Sequence, residues 1–212
     1  MKDKKLLSDI KEYLKCYENQ VLEDWYELIR HISVSETGEG IETCCDWIQK
    51  KMEEIGIQVT KYSVKPAPVL VGRFGNDPEK KTVLIYAHYD VKPAGERKLW
   101  HSDPFVPTVR DGKVYARGSA DNKSPLMAHL KALEYFIRRK MEVPVNVIFV
   151  FEGDEECGSR GLEEFLAEHR TELAADLVFF SDGPKDPSGL PIIALGAKGD
   201  LSIHITVETM NR

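Results

Sequence analysis

A histidine and an aspartate two positions apart, His88 and Asp90, close the apolar run Val83-Leu84-Ile85-Tyr86-Ala87. Side chains two apart on an extended chain point to the same side, so an imidazole and a carboxylate leave the end of a buried strand together. A carboxylate next to an imidazole fixes the tautomer and orientation of the ring, which suits a metal ligand held by its neighbour. Three further stretches bring acids to comparable places. Asp121 stands in Gly118-Ser119-Ala120-Asp121-Asn122-Lys123, just ahead of a helical pattern. Glu155 and Glu156 follow the apolar run 145–151, and Asp182 follows the run 176–181.

Each of these has an ordinary explanation when taken alone. An aspartate before a helix is most often an N-cap, and acidic runs commonly sit on solvated loops. The run Glu152-Gly153-Asp154-Glu155-Glu156 is different in being tied to the end of a core strand. Acids crowded there repel one another unless protons or cations relieve them. In open α/β sheets, ligands gather beyond the carboxyl ends of strands. Three strand ends and one helix start thus offer His88, Asp90, Asp121, Glu155, Glu156 and Asp182 to a common metal site.

The elements that must position them can be read from periodicity. Apolar residues at helical spacing run from about Lys4 to Ile32, with a break near Cys16 to Asn19 that predicts two helices. A polar loop, 33–40, leads to a helix over 41–55 with Gly56 as its C-cap. Strands are expected over 57–64, 69–74 and 82–87. The segment 91–105 has too much Pro, Gly and charge for regular structure and lies beside the candidate site. Asp111-Gly112 marks a hairpin between 106–110 and 113–116. A helix over 125–139, a strand over 145–151, a helix over 158–170 and a strand over 176–181 complete an α/β pattern.

The 212 residues are 42% hydrophobic and 30% charged with a net charge of −6, enough for a sizeable core in one main domain. Basic residues are scattered, which argues against a nucleic acid or an anionic membrane as partner. No apolar run approaches a membrane span or a signal-peptide core, so a cytoplasmic location is expected. Cys16, Cys44, Cys45 and Cys157 include no C-x-x-C pair and read as reduced helix or core residues.

His88-Tyr89-Asp90, Gly118-Ser119-Ala120-Asp121-Asn122-Lys123, Glu155-Glu156-x-Gly158-Ser159 and Ser181-Asp182 resemble, in order, the motifs of the dinuclear zinc peptidase superfamily of aminoacylases, carnosinases and acetylornithine deacetylases. The flanks Trp100-x-Ser102-Asp103-Pro104-Phe105 and Arg110-Asp111-Gly112-Lys113 narrow the likeness to its cytosolic dipeptidase and carnosinase-like branch. It runs from about Asp24 to Arg212.

The resemblance implies an α/β fold: a three-layer catalytic domain over 1–193, with a central mixed sheet flanked by helices, and the first strands of a lid or dimerisation domain over 194–212. It implies two Zn²⁺ ions, with Mn²⁺ or Co²⁺ possible in their place. Asp121 would bridge them, His88 and Asp182 would complete the first ion's protein ligands, and Glu156 would bind the second. Glu155 would be the general base and Asp90 would orient His88. It further implies a non-proline cis peptide at Asp121–Asn122. Relatives take a last zinc histidine and a substrate-contacting lid histidine from later segments, so both are expected beyond residue 212; His101 is the nearest stand-in. The reaction implied is hydrolysis of dipeptides or short peptides, in a protein that dimerises through the lid. An N-acyl-amino-acid deacylase and a non-catalytic metal-binding or interaction module are the alternatives.

Overall fold

The computed structural model describes residues 2–183, together with Ser188, Leu190, 192–193, Gly199, Leu201 and 203–209. Two compact units divide the chain, residues 1–182 and 183–212, and every predicted site residue belongs to the first.

The strand that explains the architecture is β6 (Asn146–Glu152), apolar at nearly every position and buried from Val147 onward. Such a run without alternation arises where both faces of a sheet are covered. Val147, Phe149 and Phe151 face a core shared with Leu28, Ile48, Met52, Leu126 and Leu130, from helices α1 (Lys2–Arg30), α2 (Ile41–Ile55) and α3 (Lys123–Arg138). Ile148 and Val150 face the opposite side, where Phe165 of α4 (Leu162–Glu168) and Leu173 pack. The result is the expected three layers, helices on both faces of one sheet.

That sheet has the order β1-β2-β6-β3-β7, with β1 at Gln58–Tyr62, β2 at Val69–Phe74, β3 at Thr82–His88 and β7 at Leu177–Phe180. β1, β2 and β6 pair antiparallel, whereas β3 runs parallel to both β6 and β7. Strand β3 therefore lies between two parallel neighbours, and all three finish at the same edge. A separate two-stranded hairpin joins β4 (Thr108–Arg110) to β5 (Lys113–Tyr115). Asp111 and Gly112 turn it with φ of 51° and 70°, the left-handed pair that such hairpins require.

Three elements differ from the expectations. The two helices predicted before residue 32 are one, α1, because Cys16-Tyr17-Glu18-Asn19 contains neither Gly nor Pro and ordinary residues cost only about 0.7 kcal/mol or less each in a helix. Tyr17 there packs against Tyr13 with ring centroids 4.6 Å apart and the ring planes tilted by 35°. The helix predicted over 158–170 is shorter, since Gly158 and Ser159 take φ of 92° and 51° and hold the chain in a turn before α4 begins. The first strands expected over 194–212 fall partly outside the described residues; Gly199, Leu201 and 203–209 carry no strand. Helix α2 ends as expected at Gly56, at φ 96°, whose N–H reaches the Glu53 carbonyl at 2.9 Å. All four cysteines are free. Among the described residues no helix is long and apolar enough to cross a membrane.

Candidate metal centre

Because β3 and β6 are parallel and in register, His88 lies opposite Glu152, and the Tyr89 N–H donates to the Glu152 carbonyl at 2.8 Å. The chain leaving β3 and the chain leaving β6 therefore emerge side by side. Asp90 ties them together. Its buried carboxylate accepts the Glu155 N–H at 3.1 Å through Oδ1 and the Glu156 N–H at 3.0 Å through Oδ2. His88 Nδ1 lies 3.3 Å from Asp90 Oδ1 and 3.1 Å from the Asp90 backbone carbonyl. Both acceptors act on the same ring nitrogen, which favours the Nδ1–H tautomer and leaves Nε2 as a lone-pair donor.

Nε2 faces the acids. It lies 3.0 Å from Asp121 Oδ1, 3.2 Å from Asp182 Oδ2 and 3.7 Å from Glu155 Oε2. One donor atom each from His88, Asp121 and Asp182 falls within 4.8 Å of the others. A tetrahedral zinc with arms of about 2.0–2.1 Å has ligand-to-ligand edges of about 3.3 Å. The two Nε2 distances match such edges, and one nitrogen with two carboxylates is a donor set zinc accepts. These three residues fit a metal ion.

The electrostatics agree. Burial opposes a charge on His88, yet the Asp90, Glu155 and Asp121 carboxylates outweigh it and push the imidazole up to about 9. Without a cation, a proton on His88 does the neutralising. Burial acts against charge on Asp90 as well, but His88, Ser35 and the Glu156 N–H hold its carboxyl below the usual range. Glu155 is raised, first by burial and then by the Asp182, Glu156 and Asp90 carboxylates, although His88 pulls the other way.

Asp121 reaches the site from the start of α3, and the Asp121–Asn122 peptide bond is cis, as expected. Glu156 is placed differently from the three clustered residues. Its backbone N–H serves Asp90, and its carboxylate pairs with the Lys92 ammonium at 3.2 Å, which also donates to the Glu156 carbonyl. His101 is exposed in the loop 91–105. His31 follows α1, His129 lies within α3, and His169 caps α4.

Several buried polar residues around the site went unread in the sequence. Glu152 accepts from Tyr86 Oη at 2.5 Å and Ser159 Oγ at 2.7 Å, anchoring the acidic turn to β3. Asp154 forks onto Arg160, with Oδ1 to Nη2 at 2.6 Å and Oδ2 to Nε at 2.9 Å. Two of the four acids in that run are therefore structural, with partners of their own. Asn122 donates to the Ser181 carbonyl at 2.9 Å, next to Asp182. The one available signal was that Glu152 closes an apolar strand, a place where a lone acid must find partners.

Residues 84–210 match the profile of peptidase family M20/M25/M40. The chain belongs to this family. As an M20 family member it is 41% identical over 164 residues to the Cys-Gly metallodipeptidase dug1 of Schizosaccharomyces pombe, an alignment covering 74% of this chain and 34% of that protein. The crystal structure of human carnosine dipeptidase 1 superposes with a TM-score of 0.77 at 29% identity, over 84% of this chain and 41% of that one. An M20 family metallo-carboxypeptidase, Sso-CP2 from Sulfolobus solfataricus, gives a TM-score of 0.76 at 36% identity, over 80% and 38%. The M20 chain thus spans about a third of the length of the curated relative it matches.

Proposed function

We propose that this chain carries the metal-binding part of a metal-dependent dipeptidase. The observation that carries this reading is the placement of His88 Nε2 at 3.0 and 3.2 Å from Asp121 and Asp182 carboxylate oxygens. His88, Asp121 and Asp182 would hold one ion, and Asp121 and Glu156 would serve a second. Zinc is the metal this donor set suits, and a pair of zinc ions would acidify a water and polarise the scissile carbonyl. Asp90 keeps the His88 ring in place and, by gripping two backbone N–H groups, keeps Glu155 beside it.

Glu155 is the general base. Its carboxylate is half-buried and lies 3.7 Å from His88 Nε2, close enough to take a proton from a water attacking at the cluster and return it to the leaving amine. Its pKa is raised, which makes it a better proton acceptor than an exposed glutamate at neutral pH. Residues 1–193 belong to the catalytic domain in this reading, and 194–212 to the first strands of a lid or dimerisation domain.

Dipeptides are favoured as substrates by the names of the relatives, a Cys-Gly metallodipeptidase and a carnosine dipeptidase; the carboxypeptidase relative makes cleavage at the end of a longer peptide the second reading. The test compares Cys-Gly, β-Ala-His and an N-blocked tetrapeptide, each with Zn²⁺, Mn²⁺ or a chelator. It uses this chain and a version extended to the relatives' length. Chelator-sensitive cleavage of the dipeptides by the extended version, lost on Glu155→Gln, supports the reading. Cleavage of the tetrapeptide alone favours the carboxypeptidase, and no cleavage by either version defeats the assignment.

A further inference from the structure

The segment 31–35, between α1 and α2, holds none of the six residues assigned to the site, yet it reaches all of the loops that carry them except that of Asp182. Ser33 Oγ donates to the Tyr89 carbonyl at 2.6 Å, and the Ser33 carbonyl accepts the Val91 N–H at 2.8 Å, so the backbone is held on both sides of Asp90. Ser35 Oγ lies 3.5 Å from Cys157 Sγ, one residue past Glu156. Lys123, two residues past Asp121, donates to the His31 carbonyl at 2.6 Å and the Leu28 carbonyl at 3.1 Å.

Lys123 is the unusual member of this set. Lysine is almost never fully buried unless paired, and this one is 1% exposed. Its partners are carbonyls at the end of α1, groups without donors inside the helix and at the negative end of its dipole. Taking an ammonium out of water costs several kcal/mol, and a water molecule could cap those carbonyls without that cost. A water could not fix the distance from the end of α1 to the first turn of α3, which a covalent side chain does. The stem is held too: a Cβ on Gly118 would sit 3.3 Å from Lys123 Cδ and 2.6 Å from Val91 Cγ1.

We infer that Lys123 and Ser33 are positioning residues for the metal centre: they hook the Asp121 loop and the His88–Asp90 loop onto one support, the end of α1 and the segment 31–35 that continues from it. This rests on the reading of His88, Asp121 and Asp182 as a metal site and says what sets the spacing between His88 and Asp121. Residues that orient ligands in this way typically change metal affinity about 10–100-fold when removed.

The test is a Co²⁺ titration of the purified chain, followed by visible absorption, which reports both affinity and ligand geometry. Lys123→Met should bind Co²⁺ about 10–100-fold more weakly, with a changed absorption band, and Ser33→Ala should move in the same direction. Tyr135→Phe, which loses a 2.5 Å hydrogen bond to Asp9 far from the site, is the control and should titrate as the parent chain does. Circular dichroism establishes that each variant is folded; if Lys123→Met is not, Ser33→Ala decides alone. Folded variants with the parent affinity and spectrum overturn the inference and leave the metal site standing. A parent chain that binds no Co²⁺ overturns both.

Discussion

Replacing Asp90 by asparagine keeps the shape of the side chain and removes half of its acceptors. Both carboxylate oxygens are occupied in a fully buried position, by the Glu155 and Glu156 N–H groups at 3.1 and 3.0 Å and by the His88 ring at 3.3 Å. An asparagine has one carbonyl oxygen, so its NH₂ must face one of the two backbone N–H groups and strand it. Losing hydrogen bonds to a charged acceptor costs about 1.5–3 kcal/mol and a stranded buried donor about 1–3 kcal/mol, so the metal-free chain should lose about 2.5–6 kcal/mol. With a urea slope of about 2 kcal/mol per M, the unfolding midpoint should fall by about 1–3 M. Asp121→Asn is the contrast. Its side chain is 64% exposed, with His88 as its hydrogen-bond partner. The metal-free midpoint should therefore move by less than about 0.3 M, consistent with a largely solvated group, while Zn²⁺ affinity collapses. Urea titrations monitored by circular dichroism, with and without Zn²⁺, separate the two. A midpoint for Asp90→Asn within about 0.3 M of the parent, well under the shift those hydrogen bonds predict, would refute the structural role given to Asp90.

The pH dependence of the metal-free chain follows from His88 and Asp90. His88 is raised from 6.5 to about 9, so its contribution is fully present below about pH 6.5 and is lost as pH climbs through 9. Asp90 is lowered, so its contribution is present above the ordinary carboxylate range and fades as pH falls through its depressed value; denaturation midpoints across pH 3–10 check both. Zn²⁺ must displace the His88 proton, so calorimetry should show proton release on binding and apparent affinity rising with pH up to about 9. Gly153→Ala places a Cβ 2.5 Å from the Tyr89 ring, which is fixed by a 2.7 Å hydrogen bond to the Pro68 carbonyl, and should cost about 1–3 kcal/mol in urea unfolding. Phe149→Ala empties part of the face of β6 covered by α1, α2 and α3 and should cost about 3–5 kcal/mol by the same measurement.

The local elements were legible because their signals are local. Helix α2, strand β2 and the Asp111-Gly112 hairpin fall where spacing and turn chemistry put them. The order of the sheet was not, because β2 pairs with β6 across more than seventy residues, and an apolar run says only that both faces are covered. For the site, strand-end position picked out His88, Asp90, Glu155 and Asp182, and the motif around Asp121 added the fifth residue that the structure gathers there. Glu156, read from the same strand end, has its carboxylate 3.2 Å from the Lys92 ammonium, a partner that the sequence did not point to. Two near neighbours, Glu152 and Asp154, carry the same charge and yet bond to Tyr86, Ser159 and Arg160. Composition cannot separate an acid that meets a metal from one that meets a tyrosine; that depends on which strand lies alongside. Ser33 and Lys123 were illegible for the same reason, since their partners, Tyr89 and the end of α1, lie 56 and 92–95 positions away.

Zinc soaked into crystals of this chain, with anomalous diffraction recorded on both sides of the zinc absorption edge, tests the central claim most directly. The account predicts a peak about 2.0–2.2 Å from His88 Nε2 and from carboxylate oxygens of both Asp121 and Asp182. Full zinc occupancy elsewhere, or no peak at His88 under conditions where the chain is folded, would contradict it.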